Sequence, residues 1–383
     1  MKKRLLIQNF INDHPNDWEK ILQEKPYCIS ISRDAFNEQN LVMFKYNQVD
    51  SDFNIKLVRE CRGIIFDEDT WEPVSVPFFK FGNVGESYCP EIDWRTARVG
   101  QKVDGSLIKI TNIKGNLLIS TNGTILADKA PIVEQIGCKW KSFGDLVREV
   151  LFRKNIENSM FDEGFTYMFE LTSPYTRVVI PYSEINLHFL GKRNNKTFQE
   201  TYFTDDEVMS KLFDIPEVFP LKSVDECLDA ARAMPWDEEG YVVCDKSFNR
   251  VKVKSPAYLA VHHLKGEGGA MSYRRAIDVV RANEIEEICS YFEEFREALE
   301  ECKSRFWKLV EDSENAWNEY LKVDSSLQTR KDKALWITKN FKIPGLAFGL
   351  LDKKISSVRD FFMDAPADKL VRMLGYKESG ESR

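Results

Sequence analysis

The stretch that decides the reading is Gln101-Lys102-Val103-Asp104-Gly105-Ser106. It lies between two apolar, alternating runs, Trp94 to Val99 and Leu107 to Ile113, so a loop or strand end joining two strands is expected here. Gly105 lets the chain turn and brings backbone N–H groups close to a ligand. A lysine two residues before an Asp-Gly turn can be presented as a nucleophile at a sheet edge. The same Asp-Gly pair is also the commonest signal of an ordinary hairpin. The choice falls to the rest of the chain.

Working outward, four more stretches carry polar groups inside apolar runs, where burial is costly unless the group is paired or used. Arg62 interrupts the apolar run Val58 to Phe66. Glu170 sits in Tyr167-Met168-Phe169-Glu170-Leu171, and Glu239 precedes Gly240-Tyr241-Val242-Val243. Lys252 and Lys254 alternate in Arg250-Val251-Lys252-Val253-Lys254, and at strand period two they share a face. Each has a plainer reading alone: a strand-end glutamate on the surface, or the wet face of an edge strand. Their joint occurrence in one order is what that reading does not explain.

Composition bounds the options. The chain has 383 residues, enough for two domains, with ordinary apolar and charged fractions. Its net charge of −7 excludes a generic nucleic-acid-coating protein, so any nucleic-acid contact must be a local basic patch. The basic start Met1-Lys2-Lys3-Arg4 is followed by an apolar run too short for a signal peptide, and no stretch approaches a membrane span. The eight cysteines form no Cys-x-x-Cys pair, and the histidines cluster only at His262-His263. That pattern fits a reducing cytoplasm and argues against a structural zinc site.

The pattern predicts an α+β fold. A helix is expected before residue 25, then short strands at Cys28–Ile31, Leu41–Tyr46, Val58–Phe66 and Val74–Phe81. Helix is expected over Ala127–Lys154, strands over Phe165–Ile180 and Ile185–Gly191, a short helix over Asp205–Leu212, and a hairpin from Gly240 to Lys254. After Ser255-Pro256 the texture turns helical. Ile285, Ile288, Phe292, Phe295, Leu299, Cys302, Phe306 and Leu309 make one amphipathic stripe. Asp364-Ala365-Pro366 is expected to start the last helix, Gly375 to end it, and Lys377–Arg383 to be a polar tail. The expected domains are 1–258, antiparallel sheets with helices, and 259–383, all-helical.

Taken together, these motifs resemble those of the covalent nucleotidyltransferases, most closely the ATP-dependent RNA ligases of the phage tRNA-repair kind. The resemblance rests on Lys102-x-Asp104-Gly105-Ser106, Glu60-Cys61-Arg62-Gly63, Phe169-Glu170, Thr176-Arg177, Glu239-Gly240-Tyr241-Val242, and Lys252 with Lys254 followed by Tyr258. It covers residues 40 to 260. One departure stands out: the turn Ser120-Thr121-Asn122-Gly123-Thr124 has asparagine where these ligases often carry a basic residue.

The resemblance implies a chemistry. Lys102 would attack the ATP α-phosphate to give a lysyl-AMP phosphoramidate. AMP would then pass to an RNA 5′-phosphate, and a 3′-hydroxyl would displace it. Each step is an in-line phosphoryl transfer, in which the protein positions groups and neutralises charge. Lys252 and Lys254 would hold the α-phosphate and, as neighbouring cations, ease loss of the Lys102 proton. Glu239 would bind Mg²⁺ or Mn²⁺, with Asp104 either a second metal contact or an orienting group for Lys102. Glu170 would accept from the ribose, Tyr46, Arg62 and Lys80 would steady the triphosphate, and Gly105, Asn122 and Arg177 complete the implied nucleotide site. The implied partners are RNA with 5′-phosphate and 3′-hydroxyl ends, such as a cleaved tRNA, and a kinase-phosphatase that prepares those ends. Basic residues Arg330, Lys331, Lys333, Lys353, Lys354 and Arg359, with Trp336 and Phe341 nearby, are a candidate RNA grip in the helical domain. The competing readings are a DNA ligase or capping enzyme, and a non-catalytic nucleotide- or RNA-binding scaffold.

Overall fold

The computed structural model describes residues 4–132, 139–259, 272–291 and 293–376. The basic start at residues 1–3, the His262-His263 pair, Phe292 and the tail at 377–383 lie outside the described residues. The chain divides into two compact units, Met1–His262 and His263–Arg383.

The described residues of the first unit carry three antiparallel sheets. One is formed by β1 (Ile29–Phe36), β2 (Gln39–Tyr46), β3 (Arg62–Asp67) and β4 (Pro73–Ser75), in that order. The short strand β5 (Arg98–Gln101) belongs to a second sheet, whereas β6 (Ser106–Ile113), β7 (Asn116–Thr121), β8 (Phe165–Thr172), β9 (Asn186–Asn194) and β10 (Glu200–Tyr202) build the central sheet, ordered β10-β9-β8-β6-β7. The second sheet adds β11 (Val218–Phe219), β12 (Gly240–Cys244) and β13 (Arg250–Lys254) in the order β11-β5-β12-β13. The Lys102–Gly105 segment is therefore no hairpin turn. It is a link between two sheets, because β5 and β6 pair with different partners.

Strand alternation sorts β6. Ile108 and Ile110 join a core with Leu146, Val147 and Val150 of the helix Phe143–Arg153. The intervening residues face the other way: Leu107 packs with Phe78 and Met168, and Lys109 is fully buried beside them in the strand. The central sheet thus has one apolar face and one that mixes apolar and charged groups.

Several expected elements differ. Val58–Phe66 is not one strand: Lys56–Glu60 is a single helical turn, and β3 starts only at Arg62. The strand expected to Phe81 stops at Ser75, because Pro77 has no N–H for a ladder and the Val76 N–H donates to Thr166 Oγ1 (2.8 Å). The helix expected before residue 25 is two, Leu6–Asp13 and Trp18–Gln23, split around Pro15. Within 127–154 only Phe143–Arg153 is α-helical, capped by Ser142 and Asp145 in a reciprocal box. The β pattern at 165–180 ends at Thr172.

The second unit contains only helices among its described residues: Tyr273–Ala282, Ile285–Tyr291, Arg296–Val323, Arg330–Asn340, Pro344–Leu351, Val358–Asp364 and Ala367–Met373. The expected stripe from Ile285 to Leu309 is shared by two helices with a 3₁₀ turn at Glu293–Phe295. Asp364 closes one helix and does not cap the next, whose N-cap is Pro366. Gly375 follows the last helix with φ +77°, as a terminating glycine does. Phe341 is buried and Trp336 packs beside it, so both serve the core around Tyr320. Arg330 and Lys354 pair with Asp352, and Lys333 with Asp324. No helix among the described residues is long and apolar enough to cross a membrane.

Candidate active site

The site grows from the link between β5 and β6. The Lys102 N–H donates to the Gly240 carbonyl (2.8 Å), which fixes the lysine against the start of β12. Gly240 follows Glu239, so the same contact brings the two side chains together: Lys102 Nζ and Glu239 Oε2 form an ion pair at 2.7 Å. Glu239 is 5% exposed, and its other oxygen lies 3.8 Å from Lys254 Nζ. Glu239 thus stands between Lys102, just after β5, and Lys254 of β13, the two strands that flank β12.

Gly105 has a steric reason. A Cβ there would meet the Leu171 carbonyl oxygen at 2.4 Å and Glu170 Cγ at 3.0 Å. Only glycine lets β6 pass β8 this closely, and the close passage sets Glu170 opposite Leu107. Burial pushes the Glu170 carboxyl up to about 7, against the pull of the Lys102 charge, with Glu239 pushing the same way as burial.

Asp104 is placed differently. One of its oxygens accepts from the Val179 and Ile180 N–H groups (2.9 and 2.8 Å), and the other from the Tyr258 hydroxyl (3.0 Å). The residue is 4% exposed. Three of its roughly four acceptor positions are therefore filled by protein donors.

A cleft collects these groups. Arg62, Lys102, Gly105, Asn122, Glu170, Lys252 and Lys254 all line it, with apolar walls from Phe78, Phe81, Leu107 and Leu190. Lys252 and Lys254 share a face of β13 as the alternation requires, and Lys252 is held in place by main-chain bonds between residues 252 and 82 and between 84 and 252. Five expected residues do not line this cleft: Asp104 and Glu239, held as described above, and Tyr46, Lys80 and Arg177. Lys80 and Tyr46 stand together, with Lys80 Nζ 5.2 Å from the Tyr46 ring and 3.3 Å from Gln48 Oε1. Arg177 is exposed and its Nε donates to the Val179 carbonyl (2.7 Å).

Two features were not singled out in the sequence. Arg250 shares the face of Lys252 and Lys254 and lines the cleft, bonded to Glu200 Oε2 (2.6 Å) and stacked 4.1 Å from the Phe78 ring centroid. Its alternation with the two lysines was the available signal. Lys109 lies wholly buried with its Nζ donating to the Gly63 carbonyl, and burial brings its ammonium down to about 7. Gly63 has φ +73°, and a Cβ there would meet the Asn122 carbonyl oxygen at 2.6 Å. Lys109 therefore braces the place where the Arg62-Gly63 pair meets the Asn122 turn. A lone lysine in the apolar run Leu107–Ile113 was its signal.

The donor set suits a hard cation only in part. No group of three or more His, Cys, Asp or Glu among the described residues is arranged to hold a metal ion. Glu239 offers a carboxylate beside Lys102, which fits an ion held by one carboxylate, ligand phosphates and water. The three donors on Asp104 leave it a poorer fit.

The profile of the RNA ligase family matches residues 60–258, more than half of the 383 residues. A putative bifunctional polynucleotide kinase/RNA ligase of Autographa californica nuclear polyhedrosis virus is 28% identical over 284 residues, which is 69% of this chain and 39% of that protein. A putative RNA ligase of Thermovibrio ammonificans is 28% identical over 249 residues, 60% of each chain. The RNA ligase of Rhodothermus phage RM378 is 25% identical over 293 residues, 60% of this chain and 65% of that protein. The chain thus spans well under half of the first relative and about three fifths of the second. The matched span begins at the Glu60-Cys61-Arg62-Gly63 stretch and ends at Tyr258, the residue bonded to Asp104, and over it the chain belongs to the RNA ligase family.

Proposed function

We propose that the protein is an ATP-dependent RNA ligase that joins 5′-phosphate to 3′-hydroxyl RNA ends through an adenylate carried on Lys102. The observation that carries this is the 2.7 Å pair of Lys102 with Glu239 at a cleft where Lys252, Lys254, Arg62 and Glu170 also face.

The chemistry starts from a lysine that must be unprotonated to attack. Lys102 Nζ forms a bond to the α-phosphorus of ATP, the bond from that phosphorus to the bridging oxygen breaks, and pyrophosphate leaves with the electron pair. The nitrogen sheds its extra proton, and Glu239 Oε2 is the nearest acceptor. Lys252 and Lys254 face the charge that develops on the phosphate oxygens, the kind of fixed electrostatic support that is worth most in a partly dry site. Glu239 is the residue that would hold Mg²⁺ or Mn²⁺, and the ion would neutralise phosphate charge. Asp104 acts by position: through Tyr258 and the 179–180 backbone it fixes the link that carries Lys102.

In the second step an oxygen of the RNA 5′-phosphate attacks the same phosphorus, and the bond to Lys102 breaks. In the third the RNA 3′-hydroxyl attacks the 5′-phosphate, and AMP leaves. The substrate assigned is broken RNA such as a cleaved tRNA. The name of the baculovirus relative, which joins a polynucleotide kinase to an RNA ligase, supports a kinase as the source of the 5′-phosphate. Cytoplasmic residence is part of the same reading, supported by the seven described cysteines being free thiols. Incubation with ATP labelled in the α-phosphate, then with 5′-phosphorylated RNA, tests the proposal. Labelled protein that passes its label to RNA is expected, and RNA that is never adenylated or sealed overturns it.

A further inference from the structure

A second cavity adjoins the nucleotide cleft within the first unit. The two share Phe81 and Arg250 as a common wall. Six cations line the second cavity: Arg4, Arg59, Lys80, Arg193, Lys246 and Arg250. Among the described residues only two acids face them, Glu60 and Glu200. Glu200 is consumed, one oxygen on Arg250 and the other on Arg193. Glu60 is buried and accepts from the Ile7 N–H (3.2 Å), and burial pushes its carboxyl up to about 7. So the cavity is basic in a chain whose net charge is −7.

The cations are held in a graded way. Arg193 and Arg250 are fixed in the wall, stacked 4.3 and 4.1 Å from the Phe79 and Phe78 ring centroids. Arg59 donates to the Phe53 carbonyl and lies over Tyr88. Arg4 and Lys246 are exposed at the rim. Tyr88, Phe198 and Phe248 add aromatic surface. A third cavity continues from the second, sharing Arg4 and Phe198 and adding Lys196 and Trp71. The result is a series of three neighbouring cavities, linked by shared lining residues and starting at the cleft of Lys102, with cations and rings along them. Spaced cations that follow a phosphate backbone, with rings on which unpaired bases stack, are what a single nucleic-acid strand requires.

We infer that this series of cavities, from Arg250 through Lys246 to Arg4, seats the single-stranded 5′-phosphate end of the RNA and leads it to the adenylated lysine. The inference rests on the RNA-ligase reading and names where that substrate lies. A 5′-terminal monophosphate carries nearly two charges, and Arg250, which lines both cavities, stands in a row with Lys252 and Lys254 of the nucleotide cleft.

The test uses the full chain with Arg4→Ala and Lys246→Ala combined, and follows the three steps separately. Self-adenylylation with labelled ATP should stay within about twofold of the parent. The KM for a 5′-phosphorylated oligoribonucleotide in AMP transfer should rise at least about tenfold with kcat nearly unchanged. The log–log salt slope of RNA binding should fall by about 1.4, the value for a single strand when two of its phosphates are no longer neutralised. Arg4→Lys with Lys246→Arg should restore the parent KM. An unchanged RNA KM overturns the inference. A parallel loss of ATP affinity overturns it too, because the cavity would then hold the triphosphate tail. So does a defect confined to sealing of pre-adenylated RNA, which would place the 3′-hydroxyl strand there. A parent protein that takes label from ATP but never passes it to RNA defeats the ligase reading itself, which separates the two failures.

Discussion

Gly105 shows what single residues decide. Its missing side chain is the space through which β6 slides past Leu171, and Glu170 and Lys102 owe their common cleft to that passage. Gly105→Ala should lower adenylylation by about 10²-fold or more, the scale of removing one charge-stabilising group, with labelled adduct per minute as the readout. Lys109 gives a pH signature. Its ordinary pKa of 10.5 falls to about 7 in the folded protein, chiefly through burial. Between those values the unfolded chain holds a proton that the folded one has released. Stability should therefore rise with pH from about 7 toward 10, and the penalty of burying the charged form is fully present below 7. Thermal unfolding of Lys109→Met should show a flatter pH dependence in that window than the parent, and identical slopes would remove Lys109 as the source. These residues differ in how far they could be read in advance. The Lys102 motif is legible because its spacing is local. Lys109 was not, because a lone lysine in an apolar strand looks like any other until its Gly63 partner is known.

At the scale of elements, β13 does more than its two lysines suggest. Arg250, Lys252 and Lys254 form a row of three cations on one face, and the first is anchored by Glu200 from β10. Glu200 also takes Arg193, so one carboxylate balances two buried guanidiniums. Glu200→Gln should destabilise the fold by about 3–5 kcal/mol, because it leaves buried cations uncompensated. Chemical denaturation measures this, and a loss below about 1 kcal/mol would contradict it. Elements were legible where pattern and pairing coincide, as in the Gly240–Lys254 hairpin. They were misread where apolar residues serve another shape. Leu57 and Val58 are buried from a helical turn, not a strand. Pro77 ended a strand that composition favoured, and the Thr166 hydroxyl took over the Val76 N–H. The ion pairs of Glu200 span up to fifty residues, a distance that no local pattern reveals.

For the molecule as a whole, an overall acidic chain still gathers a local cluster of cations. The excess of 61 acids over 54 bases is spread elsewhere, while the cavities and cleft beside Lys102 gather cations. Of the six basic residues expected to grip RNA in the second unit, Arg330, Lys333 and Lys354 pair with Asp352 or Asp324. Reversing charge at Lys353 and Lys354 should then change RNA binding less than removing Arg4 and Lys246, as filter binding at low salt would show. Whether Lys102 carries the adenylate can be read by mass spectrometry of the protein after incubation with ATP and a divalent cation. A single AMP adduct on Lys102 is expected, absent from Lys102→Ala. An adduct that persists in Lys102→Ala, or that maps to another lysine, would contradict it.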